Sequence, residues 1–120
     1  MNDKLKIVVV GLGYVGLPLA VEFAKQKIEV IGFDISPEKI KLLKKNIDPS
    51  QEIESDVLKN VEIEYTDKPA KIGLANFIIV AVPTPINQAK HPDMRMLKSA
   101  SRLVGQNLAK KSIVVFESTV

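Results

Sequence analysis

Three glycines, Gly11, Gly13 and Gly16, form a G-x-G-x-x-G run, and an acid, Asp34, follows Gly13 by 21 residues. Each piece has its own use in holding a dinucleotide. Gly11 permits a tight turn, Gly13 has no Cβ to keep the backbone from a pyrophosphate, and Gly16 lets helix and strand pack closely. Tyr14 and Val15 then offer backbone N–H groups to phosphate where a helix begins, and the helix dipole favours negative charge there. Asp34, with Ile35 beside it, is placed to accept hydrogen bonds from the adenosine ribose hydroxyls. Its charge repels a 2′-phosphate, so NAD is expected over NADP. A second use for Asp34 stays open, because it could cap the helix that starts near Pro37, a job for which Ser36 competes. Glycine triplets also arise by chance, so the surrounding elements must decide.

Those elements are legible. Ile7-Val8-Val9-Val10 is an apolar, mostly β-branched run that Gly11 ends, as expected of a strand buried on both faces. A mostly apolar helix follows over Tyr14 to Lys27, with Pro18 in its first turn, where a missing N–H costs little. A second strand covers Ile28 to Phe33 and ends on Asp34. Ser36-Pro37 reads as an N-cap with Pro at N1, opening a helix through Lys45 with Ile40, Leu43 and Ile47 on its apolar face. Asp48-Pro49 marks a turn, and Ile53 to Leu58 is a short helix. Val61 to Tyr65 alternates as an edge strand would, and Lys68 to Leu74 is a further short helix. Phe77 to Val82 is a buried fourth strand, Met94 to Ala109 a helix, with Met94, Met96 and Leu97 packing at its start, and Ile113 to Phe116 a fifth strand. Strands alternating with helices imply right-handed crossovers. The fold class is therefore α/β: a Rossmann-type doubly wound parallel sheet of about five strands in the order 3-2-1-4-5.

Composition narrows the chemistry further. The chain has no cysteine, which rules out disulfides, thiolate metal sites and a cysteine nucleophile within these 120 residues. It has one histidine, His91, which sits beside Pro92 as a loop residue, and its aspartates show no metal-ligand spacing. Seventeen basic residues against 14 acidic ones leave a net charge of +3. The lysines Lys39, Lys41, Lys44 and Lys45 share one helix and read as its solvated face rather than as a nucleic-acid patch. No run is long and apolar enough to span a bilayer. A cytoplasmic protein bound neither to nucleic acid nor to membrane is expected.

The run from Val10 through Gly11, Gly13, Tyr14, Val15 and Gly16 to Ala20 resembles the N-terminal fingerprint of the UDP-glucose/GDP-mannose dehydrogenase family. Val82-Pro83-Thr84-Pro85 after strand four and Glu117-Ser118-Thr119-Val120 after strand five resemble later blocks of that family, in its order and spacing. The resemblance implies an NAD-binding domain over residues 1–120 of an enzyme that oxidises the C6 alcohol of a nucleotide sugar to a carboxylate with two NAD. It also implies roles: Asp34 as the ribose-binding acid, Lys39 as a base at the adenosine side, Val82, Pro83 and Thr84 at the nicotinamide half, and Thr119 as the residue that orients water at the reaction centre. Asp34, Val82-Pro83-Thr84 and Ser118-Thr119 follow C-terminal strand ends, where ligands bind in open α/β sheets. Left to themselves, Thr84 could be a turn former between two prolines, and Thr119 a frayed chain end.

Pro83-Thr84-Pro85-Ile86, His91-Pro92-Asp93 and Glu117 are more similar to the UDP-N-acetylglucosamine or -galactosamine 6-dehydrogenase branch than to the UDP-glucose branch, which more often has Lys where Glu117 stands. The family's catalytic cysteine, its Lys and Asn partners and the sugar-binding domain are implied to lie beyond these residues. The piece alone is expected to bind NAD without turnover, and the whole protein to act on a UDP-sugar as a homo-oligomer. An uncovered fifth strand would pair with other chains, so self-association of the piece is expected. Two alternatives stay open: a hydroxyacid-type NAD dehydrogenase, and a non-catalytic nucleotide-sensing module with a similar glycine loop.

Overall fold

The computed structural model describes residues 5–83, 90–91 and 93–117. Among them, Lys6–Val10 (β1), Glu29–Phe33 (β2), Glu64–Thr66 (β3), Phe77–Val80 (β4) and Ile113–Phe116 (β5) form one parallel sheet in the order β3-β2-β1-β4-β5. Gly16–Lys25 (α1), Pro37–Lys44 (α2), Ser55–Lys59 (α3) and Arg95–Asn107 (α4) connect the strands, with a 3-10 turn at Pro69–Leu74 before β4. The expected α/β class and strand order hold.

The pleat explains the unbroken apolar runs. Ile7 and Val9 of β1 point into a core closed by Leu17, Ala20 and Val21 of α1, Ile40 and Leu43 of α2 and Leu58 of α3. Val8 and Val10 point the other way, onto Ile72 of the 3-10 turn and Ala100 and Val104 of α4. Both faces of the central strands are therefore covered, and burying each such side chain stabilises the fold by about 1.5–3 kcal/mol. A polar residue in β1 would face apolar neighbours on whichever side it fell.

Several boundaries move for local reasons. The first helix begins at Gly16 rather than Tyr14 and stops at Lys25, because Lys27 turns left-handed at φ 65°. The second stops at Lys44, Asn46 takes φ 62°, and Ile47, expected on the apolar face, is exposed instead. The alternation over Val61 to Tyr65 is real, with Val61 and Ile63 half-buried against the core. Only Glu64–Thr66 pairs with β2, so the edge strand is shorter and shifted. The stretch before β4 is 3-10 rather than α. At the start of α4 only Leu97 packs inward, while Met94 and Met96 are exposed.

The turn after α2 is organised by one carboxylate. Asp48 is buried and accepts from the Ser50 N–H and hydroxyl at 2.9 and 2.8 Å and from the Glu52 and Ile53 N–H groups, each at 3.0 Å. Burial pushes its pKa up, but these bonds more than offset that and hold it below the ordinary 3.8. A depressed native pKa contributes stability that is present above the unfolded value and lost as pH falls through the native one. Chemical denaturation should therefore show stability falling below about pH 4, where unfolded carboxylates protonate, with a shallower fall in Asp48→Asn. Equal slopes in the two proteins would show that Asp48 is not a source of the acid sensitivity.

Candidate functional site

The ladder carries past the C-terminal ends of the strands and fixes the loops there. Gly11 N–H donates to Phe33 O at 2.8 Å, Asp34 N–H to Thr66 O at 3.1 Å, and Ala81 N–H to Val10 O at 2.8 Å. The glycine loop, the turn after β2 and the segment after β4 thus meet at one edge of the sheet. Gly11, Gly13, Tyr14, Val15, Gly16, Asp34, Ile35, Lys39, Val82 and Pro83 all lie on these segments or on the start of α2. Thr84 and Thr119 lie outside the described residues.

The three glycines are required for three different reasons. Gly11 sits at φ 101°, and a Cβ there would come within 3.0–3.1 Å of Val82 and the Ala81 backbone. Gly16 is forced by its own loop, since an added Cβ would sit 1.7 Å from Gly11 O. The close approach expected of helix on strand is therefore mainly helix on loop, with Ala81 Cβ second at 3.3 Å. A Cβ on Gly13 would meet nothing within 4 Å, and Gly13 has no left-handed φ. Nothing in the chain's own packing demands a glycine there, but a ligand lying on the backbone would.

Two helices start at this edge and are treated differently. At α2, Ser36 Oγ accepts from the Lys39 N–H at 3.2 Å, Pro37 removes a donor, and Glu38 complements the dipole. At α1, Val15 holds the N-cap position without a side-chain cap, and the first turn has no acid. No hydrogen bond among the described residues uses the N–H groups of Gly13, Tyr14 or Val15. Tyr14 and Val15 are exposed residues, and they stand with the positive end of the dipole beside the open side of Gly13. The arrangement is built to receive an anion, and it fits the pyrophosphate of a dinucleotide.

Ser36 settles the competition for the α2 cap, and Asp34 is free for other contacts. Its carboxylate is buried: Oδ2 accepts from the Leu12 N–H at 2.9 Å and Lys39 Nζ at 3.3 Å, and Oδ1 from the Ser36 N–H at 3.0 Å. A carboxylate offers about four acceptor sites, so one remains, and the half-exposed Lys39 can vacate a second. A ribose diol needs two. Ile35 stands beside this pair, 75% exposed, an apolar surface with no covering among the described residues.

One contributor was not evident from residue types alone. Leu12, between Gly11 and Gly13, ties the loop to Asp34 through its amide while its side chain is 1% exposed in the core. A leucine between the first two glycines of the loop was the available signal. Among the described residues, no group of three or more His, Cys, Asp or Glu side chains could hold a metal, and no helix is long and apolar enough to cross a membrane.

Comparison with known proteins agrees with this geometry. Residues 5–120 match the NAD-binding domain of the UDP-glucose/GDP-mannose dehydrogenase family. Protein CapL of Staphylococcus aureus is 52% identical over 95% of this chain and 27% of its own length. The UDP-N-acetyl-D-glucosamine 6-dehydrogenase of Salmonella typhi is 46% identical over 98% of this chain and 28% of its own length. The crystal structure of an NDP-N-acetyl-D-galactosaminuronic acid dehydrogenase from Methanosarcina mazei superposes with a TM-score of 0.88 at 32% identity, over 99% of this chain and 28% of that one. The chain thus spans under a third of the length of each. Matched to the family's model over residues 5–120, the chain belongs to the UDP-glucose/GDP-mannose dehydrogenase family and comprises its NAD-binding domain.

Proposed function

We infer that the chain holds NAD with the pyrophosphate over Gly13 and the N–H groups of Tyr14 and Val15, and the adenosine ribose on Asp34. Lys39 flanks that ribose, and Ile35 supports the adenine side. Val82, Pro83 and Thr84 border the nicotinamide half, and Thr119 orients water at the reacting carbon. The observation that carries this reading is the uncapped N-terminus of α1 beside the open face of Gly13, against the side-chain-capped α2 that starts at the same end of the sheet. Bound NAD supplies the hydride acceptor. The chain's own residues bind it, orient it and select against a 2′-phosphate.

In the whole protein this domain serves a cytoplasmic, homo-oligomeric UDP-N-acetylhexosamine 6-dehydrogenase. Support for an N-acetylated UDP-sugar comes from the 46% identity to the UDP-N-acetyl-D-glucosamine 6-dehydrogenase. Converting a primary alcohol to a carboxylate removes four electrons, so each sugar consumes one water and reduces two NAD. The full-length protein, assayed by NADH formation, should turn over UDP-N-acetylglucosamine or UDP-N-acetylgalactosamine well ahead of UDP-glucose. A preference for UDP-glucose would overturn the assignment. The 120 residues alone, which contain no cysteine, should form no NADH with any of these sugars.

A further inference from the structure

Gly32 is the weak point of β2: glycine in a strand interior costs stability through backbone entropy and gives no packing in return. Its neighbours explain it. A Cβ at Gly32 would lie 3.1 and 3.2 Å from the two terminal methyls of Leu12 and 3.2 Å from Cδ1 of Tyr65. Gly32 is paired in register with Tyr65 on β3 and with Val9 on β1. The side chain of a loop residue and the ring of an edge-strand residue therefore share the space above one glycine. Both are buried, Leu12 at 1% and Tyr65 at 8% exposure.

We propose that Leu12, Gly32 and Tyr65 form a strut that positions the dinucleotide loop from beneath, with Tyr65 and Gly32 as positioning residues. Leu12 is held at both ends. Its amide is fixed to Asp34 Oδ2 at 2.9 Å, and its side chain shares the space over Gly32 with the Tyr65 ring, both in one core cluster. Lifting the side chain by a few tenths of an ångström pulls the amide from Asp34 and shifts Gly13, the next residue. The placement of an edge strand is thereby transmitted to the phosphate-binding backbone. This rests on the reading that NAD lies over Gly13, so the test carries one readout that does not need NAD.

The test is a set of variants measured by calorimetric NAD titration, thermal melting and the amide proton shift of Leu12. Gly32→Ala should weaken NAD binding by about five- to tenfold, the scale of a mild overpacking strain. It should melt close to the parent, because the alanine recovers strand entropy. The Leu12 amide proton should move upfield as its bond to Asp34 lengthens. Trimming the partner, in Gly32→Ala/Leu12→Val, should restore both the affinity and the shift. Gly105→Ala on α4, where an added Cβ meets nothing within 4 Å, should change neither. A Gly32→Ala protein with parental affinity and an unmoved Leu12 amide would overturn the strut, as would a loss that trimming Leu12 does not reverse. If the parent binds no NAD, the functional reading fails, while the Leu12 amide still decides the strut.

Discussion

Asp34→Asn should bind NAD about 10–100-fold more weakly than the parent and should prefer NADP, reversing the parent's selectivity. The first effect follows from charge. The ribose hydroxyls lose an ionised acceptor, and charge-assisted hydrogen bonds contribute about 1.5–3 kcal/mol. The second follows from Lys39, whose ammonium lies 3.3 Å from Asp34 Oδ2. Removing the acid removes the repulsion of a 2′-phosphate and leaves a cation already standing where that phosphate would arrive. The new preference should therefore vanish in Asp34→Asn/Lys39→Ala. Asn has one oxygen: turned to the Leu12 amide it keeps the loop's tie, while its NH2 faces the Ser36 N–H and that turn bond is lost, a local cost that should leave the variant folded. Calorimetry with both dinucleotides gives the answer. Unchanged NAD affinity in Asp34→Asn would remove Asp34 from the ribose site.

Gly13→Ala and Gly16→Ala should fail in opposite ways although they stand three residues apart. The Gly16 methyl would lie 1.7 Å from a backbone oxygen that cannot rotate away, so helix and loop must separate. Overpacking against backbone at this distance should cost about 3 kcal/mol or more, lowering the melting temperature by roughly 10–20 °C. The Gly13 methyl enters open space at an ordinary φ, so its melting temperature should stay within about 3 °C of the parent. It would stand where the pyrophosphate approaches, and NAD binding should fall by more than about tenfold. If Gly13→Ala instead bound NAD normally, the open face of Gly13 would not be the phosphate site.

Much of this could be seen in the residues themselves. The runs Ile7 to Val10 and Ile113 to Phe116 mark strands because apolar β-branched stretches have few other places to go. Ser36-Pro37 marks a helix start because cap chemistry is local. Helix ends were less visible: Lys27 and Asn46 take left-handed turns under tertiary constraint, and lysine announces no such turn. Of the site, Gly11, Gly13, Gly16 and Asp34 were legible because their spacing is a local property. Gly16 proved to answer to Gly11 O rather than to the sheet, a distance that no spacing reveals. Leu12, Gly32 and Tyr65 were not assigned, because their relation exists only once three segments are brought together.

The most direct test of the account is a residue-resolved NMR titration of the isotope-labelled chain with NAD. The amides of Gly11 to Gly16 and of Asp34, Ile35, Ser36, Glu38 and Lys39 should shift together and saturate along one binding curve. The amides of Glu29 and Glu62, at the opposite end of the sheet, should not move. Shifts confined to that opposite end, or no saturable shift in the glycine loop, would contradict the claim that this loop is the NAD site.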